Sequence, residues 1–217
     1  MSDSARHLVQ KLRHEYAHAM LDISEVHPNP ITQFDRWMQE ALSAQVPEPH
    51  ALNLATVDEH GQPHVRVVLL RYFDAQGFVF YTNYHSAKGR QIDANKKAAM
   101  NFFWQPLERQ VRILGALSAL PPETSDAYFA TRPYESQLGA WASNQSEPIE
   151  NRKVLERQLE KLRETYAPGQ VPRPPHWGGY LLHPHSIEFW QGRPGRVHDR
   201  IQYIKTGDAW STGRLSP

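Results

Sequence analysis

Residues 187–200 read Ile-Glu-Phe-Trp-Gln-Gly-Arg-Pro-Gly-Arg-Val-His-Asp-Arg. A short apolar run of Ile187, Phe189 and Trp190 leads into a turn punctuated by Gly192, Pro194 and Gly195, and the chain returns through Arg196, Val197, His198, Asp199 and Arg200. Side chains alternate across a strand, so this spacing predicts Arg196, His198 and Arg200 on one face and Val197 and Asp199 on the other. Two guanidiniums and an imidazole aimed at one place suit an anionic or electron-rich ligand. Asp199 and His198, as neighbours on a strand, diverge, which argues against a hydrolase triad. The same pattern also fits a solvated edge strand whose arginines discourage edge pairing.

Other cations fall at positions where they could grip phosphate. Lys88 follows Ser86 in the first turn of a predicted helix, where free backbone N–H groups already favour an anion. Tyr128, Arg132 and Ser136 recur at four-residue spacing, which stacks them on one helical face if Pro133 only kinks the path, and offers a guanidinium fork with two hydroxyls. Arg66 and Arg71 flank an aliphatic run and differ by an odd number of positions, so they face opposite ways and should serve different ligand groups. Taken singly, each has a plain structural role: Arg66 as a cross-strand partner, Lys88 as a surface lysine, Tyr128 as a core aromatic.

Composition removes several classes. Among 217 residues, 24 Lys and Arg nearly balance 23 Asp and Glu, so bulk charge supplies no case for nucleic acid or acidic membranes, and a cationic site has to be local. There is no cysteine, hence no disulfide, thiol nucleophile or cysteine-ligated metal. The longest aliphatic run, residues 67–70, is too short to span a bilayer and the N-terminus has no apolar signal region, so a soluble cytoplasmic protein is expected. No Gly-x-Gly-x-x-Gly, phosphate loop or His-Glu-x-x-His occurs. His183 and His185 flank Pro184 without a third clustered ligand and read as a loop; no metal is expected.

The elements that must position these residues are readable from periodicity. A short amphipathic helix is expected through Tyr16 from Leu8 and Leu12, and a second from a capping-box-like start at Thr32 and Asp35, with Phe34, Trp37, Met38, Ala41 and Leu42 on its apolar face. Strands are predicted over 51–57, 64–72, 78–82, 98–104 and 110–120, with helices over 86–95, from Pro121 and Pro122 to 131, after Pro133, and over 150–166. A proline-rich spacer over 168–175 precedes a strand at 177–182 and the closing hairpin. Strands in hairpin order with helices between them argue for a single α+β domain over 1–217, an antiparallel split β-barrel with peripheral helices.

The hairpin residues, Ile187-Glu188-Phe189-Trp190-Gln191 followed after four residues by Arg196-Val197-His198-Asp199-Arg200, resemble the signature of the pyridoxine/pyridoxamine 5′-phosphate oxidases, flavoproteins of the FMN-binding split-barrel fold. The resemblance runs through almost the whole chain, including Leu12 to Tyr16, 55–63, 66–70, 80–83, 107–111, 136–141 and 177–179. It implies a homodimer with FMN at the subunit interface that oxidises pyridoxamine or pyridoxine 5′-phosphate to pyridoxal 5′-phosphate, with O2 as acceptor and hydrogen peroxide as product. It implies Arg66 and Lys88 on the FMN phosphate, with Val67, Leu69, Tyr81, Thr82, Gln110, Gln145, Ser146, Trp190 and Arg200 shaping the rest of the flavin site. Arg71, Tyr128, Arg132 and Ser136 would take the substrate phosphate, and Arg196, Val197 and His198 the pyridine ring, with Arg196 and His198 nearest the reacting carbon. Arg13, His14, Glu15 and Tyr16 match a mobile segment, within about residues 1–20, that covers the substrate, and the hairpin within 187–217 contributes to the active site. Arg200 near the flavin would favour its reduced, more negative form.

Two positions depart from the family pattern. Ala87 stands where an arginine is usual, which removes a charge-assisted contact of about 1.5–3 kcal/mol, and Arg90 is expected to substitute in part. Arg71 stands in place of a lysine, which keeps the charge and changes the reach. Two other functions fit parts of the pattern: a split-barrel flavin reductase with a different substrate, and a non-enzymatic barrel binding single-stranded nucleic acid through aromatics and cations.

Overall fold

The computed structural model describes Tyr16 and residues 20–217, so the helix expected before Tyr16, and with it Arg13, His14 and Glu15, lies outside the described residues. Among the described residues the first helix, α1, spans Pro30–Ser43. It begins two residues before the expected Thr32, because Asn29 caps it by accepting from the N–H groups of Ile31 at 2.8 Å and Thr32 at 3.3 Å, and Pro30 presets the first turn. Its buried face, Phe34, Trp37, Met38 and Ala41, drives into the sheet. The Phe34 ring meets Phe73, Phe78 and Phe102 at centroid distances of 4.9, 4.9 and 5.1 Å, and Trp37 meets Phe189 at 5.1 Å.

Nine antiparallel strands follow: β1 Ala51–Val57, β2 Pro63–Leu69, β3 Tyr72–Asp74, β4 Gly77–Asn83, β5 Lys97–Trp104, β6 Arg109–Ala119, β7 Trp177–Gln191, β8 Asp199–Thr206 and β9 Ala209–Arg214. They hydrogen-bond in the order β2-β1-β5-β6-β7-β4-β3, with β8 added to β7 and β9 to β8. The expected strand over 64–72 is two strands with a corner. The Leu70 N–H bonds to His50 O on the β1 side and the Arg71 N–H to Val79 O on the β4 side, so the chain changes partners within one residue and curls the sheet shut. This is the α+β split barrel that the strand pattern predicts.

Strand β7 is longer than expected. The strand expected at 177–182 and the first arm of the hairpin are one 15-residue strand, and His183 and His185 lie within it rather than in a loop. Pro184 is accommodated by a register shift opposite Leu114 and Gly115, where a residue is extruded from the ladder. One edge of β7 pairs with β6 along its length. The other edge pairs with β4 over its first part and with β8 over its last, so the sheet divides there. Strand β9, on the far side of β8, was not foreseen.

Four further helices lie outside the sheet: α2 Ala87–Ala94, α3 Pro122–Ala130, α4 Tyr134–Ala142 and α5 Arg152–Thr165. Phe129, Leu138, Val171 and Trp177 form a second small core, against which α5 lays Leu159 and Leu162. No helix among the described residues is long and apolar enough to cross a membrane.

Phe34 is fully buried and its ring joins α1 to β3, β4 and β5. Phe34→Ala is expected to lower the unfolding free energy by about 3–5 kcal/mol, measured as a shift of the urea midpoint at unchanged slope.

Candidate active site

Two clusters of cations adjoin one another. In the first, Arg66 extends from β2 and donates to Thr56 Oγ1 at 2.6 Å, Leu54 O at 3.1 Å and Gln91 Oε1 at 2.8 Å. Helix α2 starts beside it because Ser86 caps it, accepting from the Gly89 N–H. Gly89 is required there, since a Cβ would stand 1.8 Å from the Tyr84 carbonyl oxygen. Lys88, in the first turn, donates to Gln145 Oε1 at 2.8 Å, Thr82 Oγ1 at 3.2 Å and Ser86 Oγ at 3.3 Å. Burial first, and then the Arg66 charge, pull the Lys88 amine down to about 8.

Thr82 and Gln145, which hold Lys88, also line a cavity of about 360 Å³ that contains the second cluster. Arg71, Tyr81, Tyr128, Arg132, Ser136 and Trp177 form much of its wall. Tyr128, Arg132 and Ser136 do not share one helical face: Pro133 caps α4 and ends α3 before it, and the trio converges across this break. The Arg132 guanidinium lies over Trp177 at 4.5 Å and Phe129 at 5.4 Å, and its Nη1 is buried without a hydrogen-bond partner. Its pKa is lowered chiefly by burial, with Arg71 adding like-charge repulsion. Tyr81 stacks on Tyr128 at 3.9 Å and on Trp177 at 5.4 Å. Among the described residues, none of Arg66, Arg71, Lys88 or Arg132 forms an ion pair with a carboxylate.

The connection from β7 to β8 differs from the expected hairpin. Residues Pro194–Arg196 form a short 3-10 turn, Arg196 sits at φ 63°, and β8 begins at Asp199. Arg196 and His198 are therefore in the loop, and strict alternation does not put Arg196, His198 and Arg200 on one strand face. His198 Nδ1 accepts from the Arg193 N–H at 3.1 Å, which places the proton of the neutral ring on Nε2. Burial, and then Arg196, lower its pKa. The ring packs with Trp190 at 4.7 Å and Tyr16 at 5.7 Å, and Gly192 leaves room for Tyr16, whose Cγ would stand 2.7 Å from an added Cβ.

Gln110, Trp190 and Arg200 form one cross-strand row over β6, β7 and β8. Arg200 is not a free cation: it donates to both oxygens of the buried Glu188, at 2.8 and 3.1 Å, and to Ser216 O at 2.9 Å, while Arg112 also reaches Glu188 at 3.2 Å. The trio keeps a surplus of one positive charge. Val67 is 65% exposed on the outer sheet face, and Leu69 closes the same strand. Ser146 sits at φ 75° in the loop after α4. Arg90 lies outside the Lys88 cluster, donating to His85 O at 2.5 Å and Glu147 at 3.1 Å, so its guanidinium is engaged away from the position expected of it.

Sequence reading passed over Thr56, Gln91, Trp177 and Glu188. Trp177 opens the Trp-Gly-Gly segment at 177–179, but its contact with Arg132 depends on the α3–α4 break. Thr56 and Gln91 are 35 residues apart and meet only because α2 packs against β1.

A family model described as pyridoxamine 5′-phosphate oxidase matches residues 38–166, and one described as the pyridoxine 5′-phosphate oxidase C-terminal dimerisation region matches 177–217. The chain belongs to the pyridoxamine 5′-phosphate oxidase family. It is 53% identical over 207 residues to the pyridoxine/pyridoxamine 5′-phosphate oxidase of Paraburkholderia phymatum, covering 95% of this chain and 97% of that protein. It is 52% identical to that of Rubrobacter xylanophilus over 217 residues, the whole of both. Among solved structures, PhzG from Burkholderia lata 383 in complex with tetrahydrophenazine-1-carboxylic acid superposes with a TM-score of 0.87 at 31% identity, covering 94% of this chain and 100% of that one. A pyridoxamine 5′-phosphate oxidase-related, FMN-binding protein from Nostoc punctiforme shares the fold at a TM-score of 0.69 and 20% identity, over 85% of this chain and 97% of that one.

The depressed Lys88 pKa has a stability consequence. Between pH 8 and 10.5 the unfolded chain holds a proton that folded Lys88 gives up, so this group destabilises the apoprotein fully below about pH 8 and progressively less as pH rises to its ordinary 10.5. Lys88→Met apoprotein is expected to melt above the wild type at pH 7, with the gap closing toward pH 10.5 in thermal scans.

Proposed function

We infer that this protein oxidises pyridoxamine and pyridoxine 5′-phosphate to pyridoxal 5′-phosphate with FMN as cofactor. The observation that carries the reading is the pair of adjoining cation clusters whose partners are neutral, because two phosphorylated molecules, cofactor and substrate, need two such places side by side. The residues fit FMN: Arg66 and Lys88 would hold its phosphate, with Thr82, Gln145 and Ser146 around it and Val67, Leu69 and Tyr81 toward the ring. The unpartnered Nη1 of Arg132, with Arg71, Tyr128 and Ser136, fits the substrate phosphate. FMN supplies the two-electron chemistry when bound, and the chain's residues position, shield and balance charge.

Binding the ester through fixed guanidiniums sets the pyridine ring in one orientation, so the reacting carbon is presented rather than found by diffusion. His198 offers a donor at Nε2 and stays neutral to lower pH than an ordinary histidine, and Arg196 lies beside it. Tyr16 packs edge-on against His198 and Trp190 and would shield that side of a bound substrate. Tyr81 touching Tyr128 joins the cofactor side of the cavity to the substrate-phosphate side.

A second copy of the chain completes the site. In this reading a cofactor held at Arg66 on β2 lies at the subunit interface, where it would meet the row of Gln110, Trp190 and Arg200 of a second copy. The outer face supports such pairing: Val65, Val67 and Phe103 are exposed there, the buried Asn101 Oδ1 lacks a partner, and the dimerisation-region match covers β7 to β9. We assign the protein to the cytoplasm, as one domain with its C-terminal arm in the partner's site.

Anaerobic addition of pyridoxamine 5′-phosphate to FMN-loaded protein is expected to bleach the visible absorbance of the oxidised flavin as two electrons pass to it. Persistent colour would favour the reductase with another substrate. Arg132→Gln is expected to raise KM for the phosphate ester by roughly 30- to 150-fold, the equivalent of about 2–3 kcal/mol for a lost charge-assisted contact, in steady-state assays.

A further inference from the structure

We propose that Gln91 and Thr56 are positioning residues for the cofactor phosphate, and that their contribution is neutrality: they aim Arg66 without cancelling its charge. This rests on the reading of Arg66 and Lys88 as the phosphate-binding pair.

Arg66, Thr56 and Gln91 close a ring of hydrogen bonds. Arg66 Nη2 donates to Gln91 Oε1 at 2.8 Å, Arg66 Nη1 donates to Thr56 Oγ1 at 2.6 Å, and Thr56 Oγ1 donates to the same Gln91 Oε1 at 2.6 Å. Arginine has only donors, so the amide must present its oxygen to the guanidinium, and the threonine proton must turn toward Gln91 to leave a lone pair for Arg66. Each proton in the ring therefore has one place to go. Thr56 is fully buried and Gln91 is 8% exposed, so water does not compete for these bonds. Gln91 stands three residues after Lys88 on α2, so one short helix carries both the second cation and the acceptor that aims the first.

The chemistry of the acceptors is selective. A glutamate at position 91 has the same shape and would give Arg66 a stronger, charge-assisted bond. It would also neutralise that arginine at the point where a phosphate has to be attracted. The partners of Lys88, namely Thr82, Ser86 and Gln145, are neutral as well, so the paired cations keep their full charge for an incoming dianion. Glu147, close by in the same loop as Gln145, is paired with Arg90 and turned away from this cluster. That gives Arg90 a use different from a direct phosphate contact.

The test is FMN and riboflavin binding to the full-length apoprotein, followed by quenching of flavin fluorescence. Riboflavin lacks the phosphate and so reports damage to the rest of the site. Gln91→Glu is expected to raise the Kd for FMN at least tenfold while leaving the riboflavin Kd within twofold, and Gln91→Ala to raise the FMN Kd less than Gln91→Glu does. Thr56→Val is expected to weaken FMN about fivefold and Thr56→Ser to restore it, which keeps the positioning claim open to test if Gln91→Glu does not fold. An FMN Kd unchanged in Gln91→Glu and Thr56→Val, or equal losses for FMN and riboflavin, would overturn the inference. Arg66→Ala separates the two levels: if it leaves FMN affinity intact, the phosphate-site reading itself fails, whereas if it weakens FMN and Gln91→Glu does not, only the neutral-acceptor claim fails.

Discussion

Uncompensated positive charge is the constraint around which this structure is arranged. A guanidinium or ammonium withdrawn from water ordinarily takes a carboxylate with it, because an unpaired buried charge costs several kcal/mol. Here Arg66, Lys88 and Arg132 are partly buried with amide, hydroxyl, carbonyl and aromatic partners. The lowered pKa values of all three express that cost as weakened proton affinity. An anionic group placed against these side chains would offset that cost, which is why the proposed phosphate sites fall here.

A scaffold that carries such a cost needs a rigid frame, and the barrel supplies it. Strand β7 pairs with β6 on one edge and with β4 and then β8 on the other, so Trp177 under Arg132 and Trp190 beside His198 are held in one frame. The aromatic packing of α1 into the barrel locks β3 and β4, and with them the corner at Leu70 and Arg71. That corner turns Arg71 toward the cavity while Arg66, five residues earlier, turns toward Thr56 and Gln91. The contrast follows from backbone geometry alone, since a strand that changes partners also changes the direction of its side chains.

Charge is handled differently on the dimerisation side. Glu188 takes Arg112 and Arg200 together, so this region carries a paired network with one surplus positive charge instead of bare cations. A surface that meets another protein chain gains from pairs fixed in advance, because their geometry is set before association and less side-chain freedom is lost on contact.

Much of the architecture could be read from one-dimensional pattern. The period-two runs of β1, β5 and β6, the amphipathic face of α1 and the turn residues between strands are local signals, and local signals survive without a fold. Arg66, Lys88, Arg71 and the trio Tyr128, Arg132 and Ser136 stand out as candidates by type alone, because few other residues suit phosphate. What tertiary structure alone decided were meetings across distance and breaks in regularity. The strand switch at Leu70, the bulge that lets Pro184 ride within β7, and the loop conformation of Arg196 each violate the period on which sequence reading depends. The ring of Arg66, Thr56 and Gln91, the Trp177 face under Arg132 and the Glu188 clamp on Arg200 join residues whose types carry no mark of their partners. Sequence determines which side chains could bear charge or accept a proton; only packing decides which neighbour each acquires, and that neighbour sets how much of the charge is left for a ligand.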